Sequence, residues 1–234
     1  MSTRAILRCG AVSAVAGGAC QLVATVSEPD IGGGLGRSIT VAASNGPWVA
    51  THLLDLVGAI LTIVGLTAAG VHAVSHGSGS REWFRLGQPL LLLMGSLGAA
   101  AILVSATLQD LAQAWLGDPA SRTAYAAVFD AVRGLTDNLF FGAFLALGLY
   151  LAALAAAVRA GREYAAWIGW LAAASAVLLL VGDPLMLLFD GAFLLVLAGF
   201  AAFLVVVMAI GVTMWRLAGA MATAEVTPGV YSQR

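Results

Sequence analysis

Residues Gly191–Trp215 read GAFLLVLAGFAAFLVVVMAIGVTMW, 25 residues without one charge. A helix needs about 20 mostly apolar residues to cross the roughly 30 Å hydrocarbon core of a bilayer. A helix that packs on a soluble core averages about 11–12 residues and keeps a polar stripe. This run has the length and lacks the stripe, so it reads as a membrane span.

The same pattern recurs toward the N-terminus, in 9–27, 86–109, 138–158 and 164–182. A sixth stretch, 48–74, is as apolar but carries His52, Asp55 and His72. Composition agrees with this reading. The 234 residues are 61% hydrophobic and 10% charged, with a mean hydropathy of +0.96. Soluble domains carry about 45–50% apolar and about 25% charged residues. So little charge cannot cover a water-facing surface, which excludes a soluble globular enzyme. Disorder is excluded by the same numbers. The expectation is an all-α, polytopic membrane protein, a single transmembrane domain over 1–234 built as a six-helix bundle. The glycine-rich segment 28–47 reads as a flexible outer loop, and 219–234 as a polar C-terminal tail.

Arginine sets the expected orientation. With the N-terminus inside, Arg4, Arg8, Arg81, Arg85, Arg159, Arg162, Arg216 and Arg234 are cytoplasmic, and only Arg37, Arg122 and Arg133 lie outside. That asymmetry obeys the positive-inside rule and predicts six spans in the plasma membrane with both termini in the cytoplasm. Arg4 and Arg8 before the first apolar run resemble the start of a signal peptide. No convincing cleavage site follows and five more spans do, so a retained helix is expected.

Absences narrow the chemistry. The chain has no lysine, which removes Schiff-base catalysis and the P-loop. A net charge of −1 argues against nucleic acid as a partner. The three histidines, His52, His72 and His76, fall on one stretch, so no pair on facing helices can hold a haem. His72 and His76 stand at i, i+4 without a compact ligand motif, and no metal or cofactor is expected. Cys9 and Cys20 are about 16 Å apart along a helix, beyond disulfide reach, and read as small buried apolar residues. Gly10, Ala14 and Gly18, and likewise Gly58 and Thr62, form small-residue stripes suited to close helix packing.

The polar groups inside or beside the spans are the candidate site. His52 and Asp55 lie three residues apart on one helical face, and an intramembrane aspartate normally faces the protein interior with a partner. Two readings stay open for them: a structural pair near the headgroups, or a functional centre. Asp130, Arg133 and Asp137 stand at i, i+3 and i+7, so Arg133 is expected to ion-pair with one of the two aspartates or with a carboxylate on another helix. The functional reading gives Arg133 and Asn138 an anionic headgroup or substrate, and has Asp137 line a cavity. Asp110 and Asp183 map to the outer boundary at expected helix C-termini, where a carboxylate meets the unfavourable end of the dipole. Pro184 offers Asp183 a turn. The candidates for chemistry are therefore Asp55, His52 and Asp137. Those for substrate or lipid binding are Arg133, Asn138, Asp110 and Asp183, forming an acidic outward-facing rim with His52–Asp55 deepest.

The segments Asp137–Asn138–Leu139–Phe140–Phe141–Gly142 and Glu163–Tyr164–Ala165–Ala166–Trp167–Ile168–Gly169–Trp170–Leu171 carry a resemblance. Over 136–182 the chain resembles an uncharacterised bacterial family of six-helix integral membrane proteins, a domain of unknown function. It departs at Ala166, where a proline or arginine before the tryptophan is expected. The resemblance implies fold and location only. Expected partners are the lipid bilayer and either a lipophilic ligand or another membrane protein. The leading expectation is an accessory, sensor or lipid-binding component. The alternatives are a membrane enzyme on a lipophilic substrate, such as acid-initiated isoprenoid cyclisation with Phe140, Phe141 and Trp48 stabilising cations, or a small proton-coupled transporter.

Overall fold

A computed structural model of the chain describes residues 2–29, 34–75, 79–161 and 163–226. Among them there is no strand. The helices in chain order are α1 (Thr3–Ser27), α2 (Leu35–Ser44), α3 (Trp48–Ser75), α4 (Arg81–Ala106), α5 (Leu108–Gly117), α6 (Arg122–Ala160), α7 (Ala166–Leu185) and α8 (Phe193–Val226). Six segments are long and apolar enough to cross a membrane, with α4 and α5 counting as one. Fold class and multi-pass character are thus as the charge-free runs predict.

The six long helices form a closed ring in chain order. α1 packs on α3, α3 on α4, α4 on α6, α6 on α7 and α7 on α8, and α8 returns to α1. Leu66, Leu91, Leu147, Leu151, Phe203 and Ile210 fill the centre. The outer face is equally apolar: Leu92, Trp170 and Val177 are about 60% exposed. That inversion is what lipid permits, since apolar surface facing acyl chains costs nothing.

Close approach between α1 and α3 depends on small residues. A Cβ on Gly17 would lie 2.6 Å from Thr62 N and 2.8 Å from Gly58 O, and one on Gly65 would lie 2.7 Å from three Ala14 atoms. The expected stripe of Gly10, Ala14 and Gly18 is divided between two neighbours. Gly10 and Ala14 face α3, whereas a Cβ on Gly18 would lie 3.0 Å from Met208 of α8.

Several expectations are corrected here. The segment read as a loop, 28–47, contains α2, whose Ser38, Ile39 and Ala42 are buried. Gly34 caps the helix with its carbonyl, and α2 packs on α5 and α6. The glycines at 32 and 33 lie outside the described residues, as does His76. At the other end α8 continues to Val226, so the tail expected from 219 begins as helix, and 227–234 lie outside the described residues. Residues such as Ala218, Ala220, Met221 and Ala222 are good helix formers, which explains the continuation. Asp110 is not at a helix C-terminus. Thr107 interrupts the helix, its hydroxyl bonding Val104 O, and Asp110 falls in the first turn of α5, the favourable end of the dipole. Pro184 makes no turn; it sits inside the last turn of α7. Cys9 is exposed and Cys20, which lies against Gly58 of α3, is half-buried, both as free thiols.

α6 has 39 residues. At 1.5 Å per residue it is about 58 Å long, nearly twice the hydrocarbon thickness. Its first turns extend to meet α2 and α5 at one end of the ring. Ile39, Ala42, Trp48, Leu108, Ala112 and Phe129 form a second core there, a helical cap on one end of the ring. Asp118 closes this cap: a hydrogen bond with Ser121 and the Ala120 N–H hold its carboxyl below the usual range.

Candidate functional site

The cap core and the membrane ring meet at Trp48, the first residue of α3. Its side chain is fully buried, and its indole Nε1 donates to Ser105 O on α4 at 3.1 Å. One turn later the helical repeat places His52 beneath it, with ring centroids 4.8 Å apart. His52 is 5% exposed. Its Nδ1 lies 2.8 Å from Trp48 O, and only an N–H can face a carbonyl, so Nδ1 carries the proton. In the neutral ring Nε2 is then an acceptor, and Ser105 Oγ, 2.8 Å away, donates to it. The same Nε2 is 3.8 Å from Glu28 Oε1, at the end of α1. One ring nitrogen thus stands between a hydroxyl on α4 and a carboxylate on α1.

Asp55 does not pair with His52 as the i, i+3 spacing suggests. Its carboxylate is hydrogen-bonded by the Gln21 side chain of α1, whose Oε1 accepts from Thr62 Oγ1 of α3 at 3.0 Å. Gln21 therefore presents its amide N–H to Asp55 and its carbonyl to Thr62, each group satisfied. Ala24, Glu28, Thr51, His52, Asp55 and Phe140 line a small pocket. Its free volume of about 10 Å³ is at the limit for a single water molecule. Packing at the bundle end pushes the Glu28 carboxyl above its ordinary 4.5, against the opposing pull of His52.

The other candidates are elsewhere. Arg133 donates from Nη1 to Ser38 Oγ of α2 at 3.0 Å, tying the cap to α6, where an ion pair with Asp130 or Asp137 was expected. Asp137 still feels its charge but is solvent-facing. Asn138 returns its amide to Gly134 O on its own helix. Asp110 is exposed on α5. Asp183 is 3% exposed, and its Oδ2 has no hydrogen-bond partner among the described residues. None of these five lines the pocket, so the acidic rim resolves into one compact centre and separate residues. The reason is rotational: residues at the same depth on different helices share a rim only if their helices turn those faces inward. Among the described residues, no group of three or more histidine, cysteine, aspartate or glutamate side chains is arranged to hold a metal ion.

Sequence reading passed over Ser105, Gln21 and the proximity of Glu28. Two signals pointed to them. Gln21 is a lone amide within a charge-free span, and Ser105 precedes the outer end of its span by only a few residues. No protein family, curated protein or solved structure matches the chain.

Proposed function

We propose that this chain is an accessory or sensor component of a bacterial plasma membrane, with both termini in the cytoplasm and the Glu28–His52–Asp55 pocket facing outward as a proton-responsive switch. The observation that carries this reading is the position of His52 Nε2, 2.8 Å from Ser105 Oγ and 3.8 Å from Glu28 Oε1. Neutral His52 accepts from Ser105 and links α3 to α4. Protonated His52 becomes a donor at Nε2: Ser105 Oγ can turn to accept from it, and the positive ring now also attracts the Glu28 carboxylate of α1. A single proton thus reverses the His52–Ser105 bond and adds an attraction between α3 and α1.

The pocket's size favours a proton over a substrate. Small-molecule sites occupy about 300–1,000 Å³, whereas this pocket holds at most one water. Isoprenoid cyclisation needs space for the folded chain, and acyl transfer through Ser105 needs room for a carbonyl beside a hydroxyl that is 4% exposed.

Trp48 supplies the readout, since an imidazolium against its ring quenches indole emission. The Trp48 signal, taken as wild type minus Trp48→Phe, is expected to fall on acidification. The bridge to α1 requires ionised Glu28. Because burial raises that carboxyl above its ordinary 4.5, the bridge is lost as Glu28 is neutralised in acid. His52→Gln should abolish the change, and Glu28→Gln should weaken it. A change that persists in His52→Gln defeats the reading.

A further inference from the structure

At the opposite end of the bundle a groove opens on the lipid-facing side between α1 and α8. Its walls are Ala11, Val15 and Ala19 of α1 and Gly211, Val212 and Trp215 of α8; its volume is about 430 Å³. The groove has a specific origin. Gly211 draws the two backbones together, since a Cβ there would lie 3.0 Å from Ala11 O. Val15 and Trp215 then splay outward, 39% and 54% exposed, as the two banks. From Ala11 to Ala19 the groove runs about 12 Å, close to the roughly 15 Å depth of one leaflet.

The foot of the groove is basic. Arg216 lines it, and the Arg8 guanidinium lies 5.8 Å from the Trp215 ring centroid. Both arginines are exposed, and neither makes an ion pair among the described residues. A tryptophan at this depth belongs to the headgroup layer, and two guanidinium forks beside it match a phosphate. We propose that the α1–α8 groove binds one anionic phospholipid, its acyl chain lying between the helices and its phosphate held by Arg8 and Arg216. Charge selects the occupant: a zwitterionic headgroup brings its own cation to a site already holding two. The site rests on different residues from the outer pocket and stands or falls separately from it.

The test is made on the full chain in phosphatidylcholine vesicles containing a minor fraction of acyl-brominated phosphatidylglycerol, or the same fraction of acyl-brominated phosphatidylcholine. Bromine quenches Trp215, read as wild type minus Trp215→Phe. The relative affinity read from quenching is expected to favour the anionic lipid over the zwitterionic one roughly fivefold per arginine, the equivalent of about 1 kcal/mol for each basic residue. Arg8→Gln with Arg216→Gln should make the two lipids equal. Equal quenching in the wild type overturns the proposal. So does protection from both lipids together with Ala16→Cys cross-linking between copies, which would make the groove a face between two copies of this chain. Native mass spectrometry of the wild type needs no variant: preferential retention of phosphatidylglycerol over phosphatidylcholine is expected, and equal retention overturns the proposal.

Discussion

Tyr150 shows how much can turn on a single buried atom. Its side chain is 1% exposed and packs on Gly87 of α4, and its hydroxyl finds no hydrogen-bond partner among the described residues. An unpaired buried hydroxyl carries its full desolvation penalty. Removing the oxygen while keeping the ring should therefore help: Tyr150→Phe is expected to raise the unfolding temperature in detergent, by the equivalent of about 1 kcal/mol. A lower unfolding temperature would mean that the hydroxyl is satisfied by water. His52 is the opposite case. Both ring nitrogens are matched in the neutral ring. Sequence placed His52 and Asp55 on one face and stopped there. Ser105, the partner of His52 Nε2, is 53 residues away, and no local pattern reports such a contact.

Among elements, the α1–α3 contact is the most demanding, because backbone meets backbone where Gly17 faces Thr62 and Gly58. Gly17→Ala puts a methyl against atoms that cannot rotate away, and overpacking of this kind costs about 1–3 kcal/mol. Gly98 on α4 has open space where its Cβ would stand. Gly98→Ala should therefore be neutral or stabilising, by up to about 1 kcal/mol, through helix propensity. Thermal unfolding of the two variants side by side checks the contrast, and equal effects would contradict the packing described. Glycine spacing showed that helices approach closely. It did not show that Gly17, one residue from the visible stripe, makes the tightest approach to a neighbouring backbone. Residue-to-neighbour assignment depends on the rotation of α1 between two partners, which a four-residue spacing leaves open.

At the scale of the whole molecule, the ring has an arginine-rich end holding Arg8 and Arg216 and an acidic, capped end where α2, α5 and the start of α6 make a second core. Cysteines introduced singly at Gly34 and Asp118 should react with an impermeant thiol reagent added outside intact cells, and one at Gly79 only after permeabilisation. All three positions are placed by the arginine asymmetry. The reverse labelling pattern would put the cap and its pocket in the cytoplasm and move the lipid groove to the outer leaflet.

The residue pattern by itself determined that this chain has six segments long and apolar enough to cross a membrane, because hydrocarbon thickness converts directly into the length of a charge-free run. It also singled out the helix that carries polar chemistry, since His52 and Asp55 are costly there. Only the tertiary structure decided which way each helix faces, and for a physical reason. In water, apolar periodicity marks the buried side. In lipid, both sides are apolar, so Cys9 points outward and Leu66 inward with equal hydrophobic credentials. The same ambiguity hid α2 behind glycines. It also left the partners of His52, Asp55 and Arg133 to be chosen by helix rotation and long-range packing.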